Sequence, residues 1–157
     1  MPTRQLDFHT YDELLAEVDR LHERGYRATG KWNLSQICNH CADFIEQGLD
    51  GYRFRVPWVL KATLGKLFLR KILSTRKMKD SQYTPQRPLP LPDLDESEAI
   101  ARLKTAVNRL LAPDVVLHDS PFFGRMTPEE CRELYLIHTM HHLGFLVPNE
   151  NGGTIRR

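Results

Sequence analysis

Between residues 137 and 146 the chain reads IHTMHHLGFL, with histidines at 138, 141 and 142 in an otherwise apolar run. On a helix, at about 100° per residue, His138 and His142 stand one turn apart on one face. That i, i+4 spacing is how a single helix offers two imidazoles to one ion. Leu136, Met140, Leu143 and Val147 fall on one side of the same helix. Leu134, His138, His142 and Phe145 fall on roughly the opposite side, with His141 at its edge. A helix apolar on two sides is buried on two sides, so His138 and His142 are expected to face the interior. Two ligands rarely hold a catalytic metal, and a third is expected from elsewhere. Position 139 is Thr, so the HExxH pattern of zinc proteases, with its general base, is absent.

His40 is the candidate third ligand. It lies in ICNHCADF, at the flank of an apolar stripe that includes Ile37 and Phe44. Facing helices of a bundle bring such residues opposite one another. Three neutral imidazoles suit zinc, nickel, iron or manganese, and spacing does not choose among them; three protein ligands leave coordination positions open. An ion so held lowers the pKa of water for hydrolysis or holds a small thiol as thiolate. Tyr135, one turn before His138, is a candidate proton donor or supporting partner, against the alternative of a core tyrosine. The competing reading of the three histidines is packing alone, with the rings paired to backbone or water. Under that reading their substitution changes melting temperature and no metal content.

Cys38 and Cys41 form a C-x-x-C pair. On a helix both point into the apolar stripe, and free cysteine behaves there as a small buried hydrophobe. A zinc finger needs its histidine pair about 12–15 residues on, whereas His138 is far downstream. The structural reading is therefore preferred. His9, His22 and His118 belong to no constellation, and no role is assigned to them.

Helices must position these residues, and their starts are legible. Thr10–Glu13, Asn33–Gln36, Asp95–Glu98 and Thr127–Glu130 each pair a short polar N-cap with Glu or Gln three residues on, the capping-box pattern. Pro128 suits the first helical position, where its missing N–H costs nothing. A further start is Pro57, ahead of WVLKATLGKLFLRKIL. Apolar residues recur at helical spacing after each signal. They are Leu14, Leu15, Val18 and Leu21; then Leu34, Ile37, Cys38, Cys41, Ile45 and Leu49; then Ile100, Leu103, Val107, Leu110 and Leu111. The last helix is expected from about Pro128 to Val147. SQYTPQRPLPLP, residues 81–92, is too proline-rich for a helix and reads as an extended crossover. Residues 113–126 read as a loop, with a short extended piece at Val115–Leu117. The fold class is all-α: a bundle of four main helices plus one additional helix. Residues 1–148 form a single domain, and 149–157 are expected to be a flexible tail.

At 157 residues the chain suits one domain with a sizeable core. Charged residues at 27% and a net charge of +2 advertise neither disorder nor nucleic-acid binding by the whole molecule. Three cysteines are no disulfide framework. The start MPTRQLDFHTYDELL has no signal-peptide pattern, and no stretch is apolar enough to span a bilayer. A cytoplasmic location is expected.

GKWNLSQICNHCADFIEQGL, with Trp32 just ahead of the helix and His40 a third of the way into it, resembles the second helix of DinB-like proteins. IHTMHHLGFL resembles their C-terminal HxxxH segment, including its HH-L-G run. FFGRMTPEE and the overall length resemble a branch of that superfamily catalogued as a domain of unknown function. The resemblance covers nearly the whole chain in its order of elements, through about a dozen specific residues. It implies a four-helix bundle in an up-down-down-up arrangement with a long crossover. It also implies a divalent metal site of His40, His138 and His142, with His141 a neighbour. An Arg that often follows HH in relatives is Leu143 here, so no role tied to that Arg transfers. Relatives include transferases using low-molecular-weight thiols, which implies a small thiol substrate, with hydrolysis as the other option.

A different class of function is written in residues 53–79. Arg53, Arg55, Lys61, Lys66, Arg70, Lys71, Arg76, Lys77 and Lys79 occur there without one acid, interleaved with Trp58, Leu60, Leu64, Phe68 and Leu69. The pattern is that of a basic amphipathic helix able to meet an anionic surface or nucleic acid, or of a bundle helix with a solvated basic face, the preferred reading. Spare apolar residues over Leu60–Leu73 also make a homodimer an expectation.

Overall fold

Thr10 closes its capping box with Glu13 and starts α1, Tyr11–Arg24. Asn33 does the same with Gln36 for α2, Leu34–Asp50. The computed structural model describes residues 2–53, 64–78 and 95–149. Within them follow α3 (Lys66–Thr75), α4 (Glu96–Leu110) and α5 (Pro128–Leu143), the last opened by a full Thr127–Glu130 box with Pro128 in its first turn. Asp95 caps α4 through the Glu98 amide. The Pro57 start, the 81–92 crossover and tail residues 150–157 lie outside the described residues. The protein is an all-α bundle with an additional helix.

Helix directions follow from the contacts between them. Arg102 reaches Asn39 and Glu46, and Arg109 reaches Asp50, so α2 and α4 run in parallel. Lys104 meets Asp19 while His22 meets Glu96, which sets α1 antiparallel to α4. The Tyr11 hydroxyl donates to the Arg132 carbonyl, and the strand after α1 pairs with the strand after α5, so those two helices are parallel. The order is therefore up-down-down-up. Two consecutive bundle helices pointing the same way require a chain return the length of the bundle, and α3 lies on that return. Its start at Gly65 and Lys66 abuts Phe122 and Arg125, and its end at Arg76 pairs with Glu133.

The core is made of the apolar stripes. Leu14, Val18 and Leu21 meet Leu34, Ile37, Cys38, Cys41 and Ile45, with Leu103, Val107 and Leu110 from α4. Leu111 departs from its stripe: it caps α4 and is exposed. Helix α5 is buried on more than one side, from Cys131, Leu134, Tyr135, Leu136 and Ile137 to Thr139, Met140 and Leu143. Burying one such leucine contributes roughly 1.5–3 kcal/mol, so these contacts, more than helix propensity, hold the elements in register.

The end of α5 differs from the expectation. It stops at Leu143, capped by Gly144, and Leu146–Pro148 is a short strand, β2. It pairs antiparallel with β1, Tyr26–Ala28, in the register Tyr26↔Pro148, Arg27↔Val147 and Ala28↔Leu146. Gly144 shows why the helix stops: a β-carbon there would lie 2.6 Å from the Arg4 carbonyl, whose N-terminal segment crosses the helix end. The Arg4 amide donates to the Gly144 carbonyl across 3.0 Å. Asn149 follows on, its amide donating to the Gly25 carbonyl. No strand forms at Val115–Leu117, where Val116 is 80% exposed and has no partner segment to pair with among the described residues.

Candidate metal centre

The two short strands carry the first consequence for the site. They bring the chain leaving α1 back over the end of α5, where the Thr29 amide and hydroxyl both donate to the Phe145 carbonyl at 2.8 Å. Residues 29–33 are thereby laid against the last turn of α5, and α2 starts beside it. Trp32, directly before the Asn33 cap, stacks on the His142 ring at 5.3 Å between centroids and 22° between planes. The same indole tilts against His40 at 4.8 Å.

Helices α2 and α5 run antiparallel and close together at this end. His40 and His138 face each other, Nε2 to Nε2, across 3.1 Å. His142 lies one turn on, its centroid 4.7 Å from that of His40 and 4.6 Å from that of His138. One ring nitrogen from each of His40, His138 and His142 can be chosen so that all lie within 4.8 Å of one another. All three residues are half-buried. Zinc–imidazole bonds of about 2.0–2.1 Å at a tetrahedral angle put neighbouring nitrogens about 3.4 Å apart. One pair already sits near that spacing, and the rest must close by little more than an ångström. The donor set fits a divalent transition ion, since neutral imidazole nitrogen suits this class of metal.

Electrostatics favour the form that can ligate. Burial, with His40 and His141 adding like-charge repulsion, holds the His142 pKa well below its ordinary value. Its ring is neutral at pH 7, and a nitrogen lone pair is available without first losing a proton. Phe44 packs on His138 at 4.4 Å and on Tyr135 at 5.1 Å, so an aromatic wall of Trp32 and Phe44 flanks the triad.

Tyr135 is fully buried and meets the Tyr52 hydroxyl at 3.3 Å. Burial and that neighbour raise its pKa, so it keeps its proton. It lies against Gly48 of α2, where a methyl group would overlap its hydroxyl. The glycine is thus a condition of the close α2–α5 approach that sets His40 against His138. His141 stands outside the triad, edge-on to His142 at 5.4 Å and to Phe145 at 5.6 Å.

The cysteines behave as buried hydrophobes. Cys38, Cys41 and Cys131 are free and almost without solvent contact. Burial pushes the Cys38 thiol far up, Cys41 to about 12 and Cys131 to about 11. None is a thiolate at neutral pH. His22 pairs with Glu96 and His9 lies near Asp7, both away from the triad. A surface cleft of about 270 Å³ beside Tyr11, Arg132 and Glu133 is lined by none of the three ligands. It lies toward the other end of α5, and its His9, Glu129 and Glu133 do not gather as a metal-ligand group among the described residues.

Sequence reasoning brought His40 to the HxxxH pair but gave Phe44 no part in the site, and Trp32 only a place in a motif. The signal for Trp32 was a bulky aromatic just ahead of an N-cap. Its stacking partner depends on the β1–β2 pairing, which three-residue strands do not announce. No curated protein and no solved structure matches the chain at a significant level. A family model described as "Protein of unknown function (DUF1569)" matches residues 1–149, and the chain belongs to that family.

Proposed function

We propose that His40, His138 and His142 bind one divalent transition metal, zinc or nickel before iron or manganese, and that the protein is a metal-dependent enzyme of the DinB-like type. One observation carries this reading: three imidazoles from two antiparallel helices converge, with ligand atoms within 4.8 Å. Three protein ligands leave at least one position for an exogenous group, the pattern of catalytic rather than structural sites. The ion, when bound, supplies Lewis acidity that favours a small thiol as thiolate, or a water as hydroxide, near neutral pH.

The chain's own residues do the rest. His142 stays neutral and ready to donate its lone pair. Trp32 and Phe44 hold the rings in place and keep bulk water from their flanks. Tyr135 and His141 support the site from beside it, Tyr135 through Phe44 and His141 through the edge of His142. The substrate is a low-molecular-weight thiol in a transfer reaction, or a hydrolysable ester in the alternative.

A second reading has its own observation. The 3.1 Å approach of His40 and His138 is also a good imidazole–imidazole hydrogen bond. In that case the bundle is non-catalytic, and the histidines are structural. The experiment is a titration of tag-free, chelator-treated protein with zinc, nickel and manganese, followed through tryptophan emission. A saturable change in the parent, absent in a Trp32→Phe variant that still binds metal by equilibrium dialysis, is the expected result. The loaded protein is then screened with small thiols and esters. Failure of every metal to bind supports the structural reading.

A further inference from the structure

Helix α3 turns Leu69 and Ile72 inward and leaves a second apolar set in solvent. Leu64 is 67% exposed, Leu67 62% and Phe68 52%, and residues 64, 67, 68 and 71 share one helical face. Phe122, 39% exposed, adjoins this set, because the Phe122 carbonyl abuts Gly65. Arg70 and Lys71, both exposed, lie along this stretch of helix, exposed Lys77 follows its end, and Arg125 adjoins its start, where the Arg125 carbonyl accepts a hydrogen bond from Lys66. Among the described residues, none of Arg70, Lys71 and Lys77 takes part in an ion pair, whereas Arg76 is committed to Glu133. No acid occurs from residue 53 to residue 79.

We propose that this face docks on an anionic lipid surface, with Leu64, Leu67 and Phe68 entering the interface and Arg70, Lys71, Lys77 and Arg125 meeting the headgroups. The combination of aliphatic and aromatic side chains ringed by unpaired cations is the chemistry of an interfacial helix. A second copy of the chain fits it poorly, since two such faces bring cations against cations. A nucleic acid accounts for the charge but gives the exposed leucines nothing to bury against. The inference is independent of the metal site.

The test is co-sedimentation of the full chain with phosphatidylcholine vesicles, with and without phosphatidylserine, at low and high salt. The expected result is binding that requires phosphatidylserine and weakens with salt. Each cation near such a surface is worth about five-fold in binding, so Arg70→Gln with Lys71→Gln is expected to weaken it roughly thirty-fold. Leu67→Ser with Phe68→Ser is expected to cost at least about ten-fold, with an unchanged melting curve because both residues are exposed. No binding to either vesicle overturns the proposal, as does binding indifferent to the Leu67/Phe68 pair. Equally tight binding to a DNA duplex, insensitive to that pair, overturns it in favour of a nucleic acid. A dimer in sedimentation that the Leu67/Phe68 pair dissolves, without vesicle binding, overturns it in favour of self-association.

Discussion

Gly48→Ala tests the helix contact on which the site depends. A β-carbon at position 48 would overlap the Tyr135 hydroxyl and lie 3.0 Å from its Cζ. Tyr135 is 1% exposed and backed by Phe44, so its ring has no free direction in which to retreat. Overpacking of this kind costs about 1–3 kcal/mol, and a direct overlap belongs at the upper end. Replacing glycine by alanine inside a helix returns about 1 kcal/mol. The net loss is therefore about 2 kcal/mol, or a fall in Tm of roughly 4–8 °C for a chain of this size. In a Tyr135→Phe background the overlapping oxygen is gone and only the 3.0 Å contact to Cζ remains. That residual crowding of about 1 kcal/mol offsets the helical gain, and Gly48→Ala is expected to be close to neutral. The assay is a double-mutant cycle by thermal and urea unfolding, with an expected coupling of about 2 kcal/mol. Equal effects of Gly48→Ala in the two backgrounds would refute the packing argument.

Three further predictions concern titratable groups. With all three cysteines buried and their thiols pushed up, the native protein is expected to resist a thiol reagent at pH 8 and to react at three positions once unfolded. The same shifts set the alkaline limit. The unfolded thiols ionise near 9 while Cys41 holds its proton to about 12, so stability is expected to fall as pH rises through that window. Chemical denaturation from pH 8 to pH 11 checks this, and a flat profile contradicts it. On the acid side the folded His142 resists protonation and the unfolded one does not, so the unfolded state gains protons first. Stability of the metal-free protein is expected to decline as pH falls below about 6.5. His142→Leu is expected to flatten that decline; an unchanged acid limb in this variant contradicts the assignment.

Much of the fold was legible because its signals are local. The Thr10, Asn33 and Thr127 boxes each close within four residues, and the stripes of α1, α2, α4 and α5 repeat at helical spacing. The approach of His40 to His138 was legible for a different reason, since a helix buried on two sides must turn its polar residues toward another helix. What was not legible depends on distant partners. The end of α5 at Leu143 is set by the Arg4 segment crossing Gly144, and the β1–β2 pairing joins residues more than a hundred positions apart. Trp32 reaches His142 only as a result of that pairing. Gly48 has no side chain to enter a stripe pattern, and its role as the recess that admits the Tyr135 hydroxyl depends on a partner on another helix.

The proposed site holds one metal ion on His40, His138 and His142. Its most direct test is elemental analysis of tag-free protein after exposure to zinc, nickel and manganese and extensive dialysis. His40→Ala, His138→Ala, His142→Ala and His141→Ala are measured beside the parent. Near-stoichiometric metal in the parent and in the His141 variant, lost in the other three, is the predicted result. No retained metal in the parent, or metal that survives in the three ligand variants, would contradict it.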